Sequence, residues 1–124
     1  MKKSALVVID LQNDITKNYK EIIANVNEAI DWAAQKGLWI VYIQHNNLSA
    51  GTRTFKPGTR GAELVPELNV VSDHIFTKVK SNALTSEAFA TFSTASCVYI
   101  RFIIGMPFIA AYRRRRPRIN CGQG

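Results

Sequence analysis

The chain has few of the residues that most directly assign a protein to a class. Its 124 residues include two cysteines, Cys97 and Cys121, too few to staple a fold as a disulfide framework. Its two histidines stand apart: His45 is followed by Asn46 and Asn47, and His74 has Asp73 beside it. Neither belongs to a spaced ligand set, so no metal site is expected. Gly51, Gly58 and Gly61 lack the spacing of a phosphate-binding loop, and no cofactor is expected. The longest purely apolar run, near the carboxyl end, is about eleven residues, short of the roughly twenty that span a bilayer. The amino terminus puts Lys2 and Lys3 before an apolar stretch, but that stretch ends at Asp10 and no cleavage-like site follows. It does not read as a secretory leader, and the cytoplasm is the expected compartment.

Negative charge is missing from one end. Residues 1–92 hold ten Lys or Arg and all nine Asp and Glu, a net +1; residues 93–124 hold six arginines and no acid, a net +6. The overall +7 therefore belongs to the carboxyl-terminal segment and says little about the domain. With 47% hydrophobic residues, the chain has the composition of one globular domain and not of a disordered one.

What is present reads as alternating strand and helix. Ser4 to Ile9 is a continuous apolar run rich in β-branched residues, the pattern of a strand buried on both faces. Residues 20–36 place Ile22, Ile23, Val26, Ala29, Ile30 and Ala33 at helical spacing, and Gly37 ends the helix. Leu38 to Gln44 is a second apolar strand, which completes a βαβ unit. A long irregular stretch follows, "HNNLSAGTRTFKPGTRGAELVPEL", of the kind that is functional or disordered inside a compact domain. Ile75 to Lys78 reads as a third strand, and "SNALTSEAFATF" as a helix start with Thr85 as N-cap and Glu87 in the first turn. From Ser93 the chain is apolar without a clean period, interrupted by Arg101 and Pro107, and then runs into "RRRRPRINCGQG".

Three residues stand out as candidates for chemistry. Asp10 ends the first strand at the carboxyl edge of an expected parallel sheet, where open α/β sheets bind ligands. It is either a functional carboxylate or a polar strand terminus that accepts backbone hydrogen bonds. Lys78 ends the third strand on the same edge and is either a solvated cation or the partner of Asp10. Cys97 lies in an apolar run and is either an inert core thiol or a nucleophile. Arg53 and Arg60 flank the Pro57–Gly58 turn; ordinary loop solvation is favoured over anion binding.

"ALVVIDLQND", "IVYIQHNN", "PGTRGAELVPEL" and "DHIFTKVKSNALTSEAF" together resemble the isochorismatase-like cysteine hydrolases, in order and spacing, over residues 4–92. The resemblance implies a three-layer α/β/α, Rossmann-like fold with a mostly parallel sheet. It implies cleavage of an amide, a carbamoyl group or the enol ether of isochorismate, with a catalytic Asp ending the first strand, a Lys ending the third and a Cys after the fourth. Asp10, Lys78 and Cys97 are the matching residues. In that scheme Asp10 is base toward the thiol, Lys78 favours the thiolate, the thiolate attacks the amide carbon, and water resolves the acyl-enzyme. The implied partner is a small-molecule substrate, with a homo-oligomer possible in principle.

The segment around Cys97 departs from the family pattern. Ala95 stands where the family has Asp, the preceding glycine is absent, and Cys97 follows Lys78 by only nineteen residues. At about 1.5 Å per helical residue and 3.3 Å per strand residue, that is too few for a helix and a returning strand. The expectation is a fold incomplete at its carboxyl end, stopping after the third strand and second major helix: a core at 1–92 and an atypical apolar, then arginine-rich, tail at 93–124. The tail reads like translation in a foreign frame. The alternatives to a hydrolase are an inactive remnant of the family, or a module that binds nucleic acid or a membrane surface through the tail. Without aromatic interleaving, the arginines are a poor nucleic-acid signal.

Overall fold

The computed structural model describes residues 3–16, 20–80, 86–95 and 98–105. Four strands, β1 (Lys3–Ile9), β2 (Trp39–His45), β3 (Ile75–Lys78) and β4 (Val98–Gly105), form one parallel sheet in the order β3-β2-β1-β4. Among the described residues, three α-helices accompany it: α1 (Asn13–Thr16), α2 (Lys20–Gln35) and α3 (Glu87–Ala95).

Successive residues of a strand face opposite sides, so a strand covered on both sides must be apolar throughout. β1 shows this directly. Leu6 and Val8 join Ile40 and Tyr42 of β2 in a core beneath α2, which contributes Ile23, Val26, Ile30 and Ala33. Ala5, Val7 and Ile9 join Val41 and Ile43 in a second core, closed by Phe89 of α3. Ile22 and Ala29, expected on the buried face of α2, lie half-buried at its margin.

The end of α2 follows from Gly37. Its φ of 74° is the left-handed conformation that glycine adopts without a Cβ penalty. Leu38 N–H donates to the Ala33 carbonyl and Gly37 N–H to the Ala34 carbonyl, both at 3.0 Å, which satisfies two of the helix's last acceptors. At the start of α3 the cap is Ser86: its Oγ accepts from Phe89 N–H at 3.3 Å. Thr85, the expected cap, lies outside the described residues.

One expectation is overturned. The sheet does not stop after β3, because β4 adds a fourth parallel strand on the far side of β1. Val98–Ile100 pairs with Lys3–Ala5, and Phe102–Gly105 with Leu6–Ile9. The register skips Arg101, the extra residue of a bulge. The residue that breaks the apolar run in the sequence is thus the one the ladder leaves unpaired. The short link from β3 suffices because α3 is only nine residues long.

The stretch between β2 and β3 is irregular but tied down. Val65 N–H donates to the Leu11 carbonyl and Asn13 N–H to the Glu63 carbonyl, both at 3.0 Å. Further along, the fully buried Tyr42 donates its hydroxyl proton to the Asn69 carbonyl at 2.5 Å and accepts from Val71 N–H at 3.0 Å.

Candidate active site

Parallel strands end together, so their last residues share an edge. β1 is followed by Asp10, β2 ends on His45 and β3 on Lys78, with His45 and Lys78 directly opposite in register. Asp10 is 4% exposed and Lys78 2%. The Lys78 Nζ lies 3.4 Å from each Asp10 carboxylate oxygen. The two residues singled out from sequence at this edge are therefore a buried ion pair.

Asp10 leaves the strand at φ 62°, an unusual conformation for a residue with a side chain. Its N–H still donates to the Ile43 carbonyl at 3.0 Å, holding the turn to β2. Burial pushes its carboxyl above the ordinary range, and Lys78 pulls in the opposite direction without cancelling it. Asp10 is accordingly a stronger base than a solvated aspartate.

His45 was not expected here; in the sequence it was weighed only as a metal ligand, and no metal site was expected. Its signal was positional, since it ends the middle of three consecutive strands whose neighbours end on charged residues. Burial and then the Lys78 charge hold its pKa below that of a free histidine, so the ring is neutral near pH 7. Its backbone is gripped by Gln12, which is fully buried. Gln12 Oε1 accepts from His45 N–H at 2.8 Å, and Nε2 donates to the His45 carbonyl at 2.8 Å and to the Ala62 carbonyl at 2.6 Å. One amide side chain thus joins the end of β1 to the end of β2 and to the loop above them.

Asp14 holds a second part of that loop. Its carboxylate accepts from Phe55 N–H at 2.8 Å, and Phe55 is buried at φ 57°. Gly61 lies against the same carboxylate so closely that a Cβ at this position would overlap it. Phe55 turns its ring edge toward His45, with centroids 5.7 Å apart. Arg53 and Arg60 are exposed, as expected of solvated loop residues. Among the described residues, no group of three or more His, Cys, Asp and Glu is placed to hold a metal ion. No described helix is long and apolar enough to cross a membrane. Cys97 lies outside the described residues.

A parallel α/β sheet with a buried carboxylate–ammonium pair on its carboxyl edge belongs to the open α/β proteins, which bind ligands at that edge. The isochorismatase domain matches residues 4–96, and the chain belongs to that family. A probable inactive nicotinamidase of Arabidopsis thaliana is 28% identical over 130 residues, covering 85% of this chain and 66% of the plant protein. An isochorismatase-like hydrolase from Alkaliphilus metalliredigens superposes with a TM-score of 0.71 at 20% identity, over 85% of this chain and 64% of its own. The N-carbamoylsarcosine amidase of Thermoplasma acidophilum gives 0.69 at 20% identity, over 83% and 67%. At such identities the likeness is one of fold. The chain spans 66% of the length of the plant relative, and 57% and 63% of two further isochorismatase-family structures.

Proposed function

We propose that the carboxyl edge of the sheet is the active site of an isochorismatase-family hydrolase that acts on a small amide or related metabolite. The buried Asp10–Lys78 pair carries this reading: two charges removed from water are costly unless they are used or tightly compensated. Asp10 takes the proton of an attacking thiol, and the Lys78 ammonium favours the thiolate. The sulfur bonds to the amide carbon, the amine leaves with the proton returned by Asp10, and water then hydrolyses the thioester. Cys97 is the proposed nucleophile, and a small molecule in the cytoplasm is the proposed partner.

The register of β4 favours a second reading. Val98, the residue after Cys97, pairs with Lys3 at the amino end of β1, whereas Asp10 follows Ile9 at the other end. Seven strand residues separate the two ends, roughly 23 Å. On this second reading the chain keeps the acid–base pair and binds a small amide but does not cleave it through Cys97. A relative named as a probable inactive nicotinamidase is compatible with a family member that does not cleave.

Thiol alkylation across pH decides between them, in a Cys121→Ser background with and without Asp10→Asn and Lys78→Ala. A Cys97 thiol that titrates well below about 8.5, and loses that shift in both variants, supports the nucleophile. An ordinary thiol indifferent to both substitutions removes Cys97 from the mechanism and leaves the binding reading.

A further inference from the structure

The scheme above gives no task to His45, whose ring sits between the two charged ends of the neighbouring strands. We propose that His45 is a substrate-binding residue whose Nδ1 accepts a hydrogen bond from a carboxamide N–H, so that the site selects primary amides over N,N-disubstituted amides and over the carboxylate product. The inference rests on the hydrolase-family reading of this edge.

Three observations lead to it. The Nδ1 atom is buried and has no hydrogen-bond partner. Burial and the Lys78 charge favour the neutral ring, in which one nitrogen carries the proton and the other is a lone-pair acceptor; the proposal places the proton on Nε2. Nδ1 is then a lone-pair acceptor left unmatched in a buried place, a costly arrangement that a ligand donor would relieve. Finally, the ring is not free to turn away. Gln12 fixes its backbone on both sides, and Phe55 packs edge-on against it.

The neighbouring groups set the chemistry of the ligand. Lys78 and Asp10 supply a cation and an anion that are matched to each other; His45 adds an acceptor. A carboxamide offers an N–H to Nδ1 on one side of its carbon. A carboxylate has no donor to offer, so hydrolysis would remove the contact and weaken the grip on the product. A site built around a donor rejects analogues that lack it far better than it rejects analogues that differ by one methylene. Nδ1 is shielded from solvent, so an incoming amide must displace packing.

The test uses the full chain with ¹⁵N-labelled histidine, titrated with benzamide and with N,N-dimethylbenzamide. In the free protein the His45 signals should show a bare Nδ1 and a protonated Nε2. Benzamide should move the Nδ1 resonance, and the dimethyl compound should not. His45→Leu should weaken benzamide binding about tenfold or more, the scale of one lost hydrogen bond to a buried acceptor. His45→Asn, which can place an oxygen where Nδ1 was, should stay within about threefold. A protonated Nδ1 in the free protein, equal binding of the two amides, or a His45→Leu loss with no Nδ1 response in the wild type would each overturn the proposal while leaving the hydrolase reading intact. If a panel of small primary amides fails to bind the wild type at all, the hydrolase reading itself fails and this inference falls with it.

Discussion

At the scale of single residues, the site is a buried charge held by another buried charge. Removing one partner is therefore worse than removing both. Lys78→Met should cost about 3 kcal/mol near neutral pH, because Asp10 stays buried without its cation. The sign of the pH dependence follows. Burial already raises the Asp10 pKa and Lys78 is the main influence lowering it, so the variant's carboxyl rises further. A raised acid contributes stability at low pH that is lost as pH rises through its folded value. The deficit of Lys78→Met in urea melts should shrink on acidification, and Asp10→Asn combined with Lys78→Met should cost less than the sum of the two. His45 behaves oppositely. Its folded pKa lies below the ordinary 6.5, so its contribution is present above that value and lost as pH falls. As pH falls below about 6.5, the wild type should therefore lose more stability than His45→Asn does. Gly61→Ala should destabilise by roughly 1–3 kcal/mol, the range for overpacking, and most of that loss should disappear in an Asp14→Ala background.

At the scale of elements, Gln12 matters more than its neutrality suggests. Gln12→Leu would strip partners from His45 N–H, His45 carbonyl and Ala62 carbonyl at once. With each buried unsatisfied group costing about 1–3 kcal/mol, a loss of at least about 2 kcal/mol is expected. Hydrogen exchange at the His45 amide should quicken by more than the global loss explains. This scale also shows what the sequence could disclose. β1, α2 and β2 were legible because their apolar spacing matches their geometry and because Gly37 is the residue a left-handed helix end requires. Asp10 and Lys78 were legible because each ends an apolar run with a charge. β4 was not, because a bulge at Arg101 shifts the alternation midway and removes the period on which recognition depends. His45 was missed because histidine was weighed only as a metal ligand. The grip of Gln12 joins residues 33 and 50 positions apart, which no local pattern encodes.

At the scale of the whole molecule, charge and site are separable. Four of the sixteen basic residues are Arg113 to Arg116, within the 93–124 segment that holds most of the excess positive charge. Replacing them with serine lowers the net charge from +7 to +3. Affinity for heparin or duplex DNA should fall and its salt dependence flatten, since each lost phosphate contact removes nearly one unit from the slope. Benzamide binding should be unchanged. If amide binding fell together with polyanion binding, the arginines would belong to the site.

The bulge in β4 has a consequence for how this protein tolerates changes in chain length. Above Arg101 the strand keeps Phe102–Gly105 beside Leu6–Ile9, and below it Val98–Ile100 beside Lys3–Ala5. The spare residue works as an expansion joint. Deleting Arg101 would let the two segments close up into one regular ladder without moving Gly105 from its place opposite Ile9, next to the turn that carries Asp10. An insertion or deletion in the link from α3 can likewise be absorbed at the joint before it reaches the carboxyl edge of the sheet.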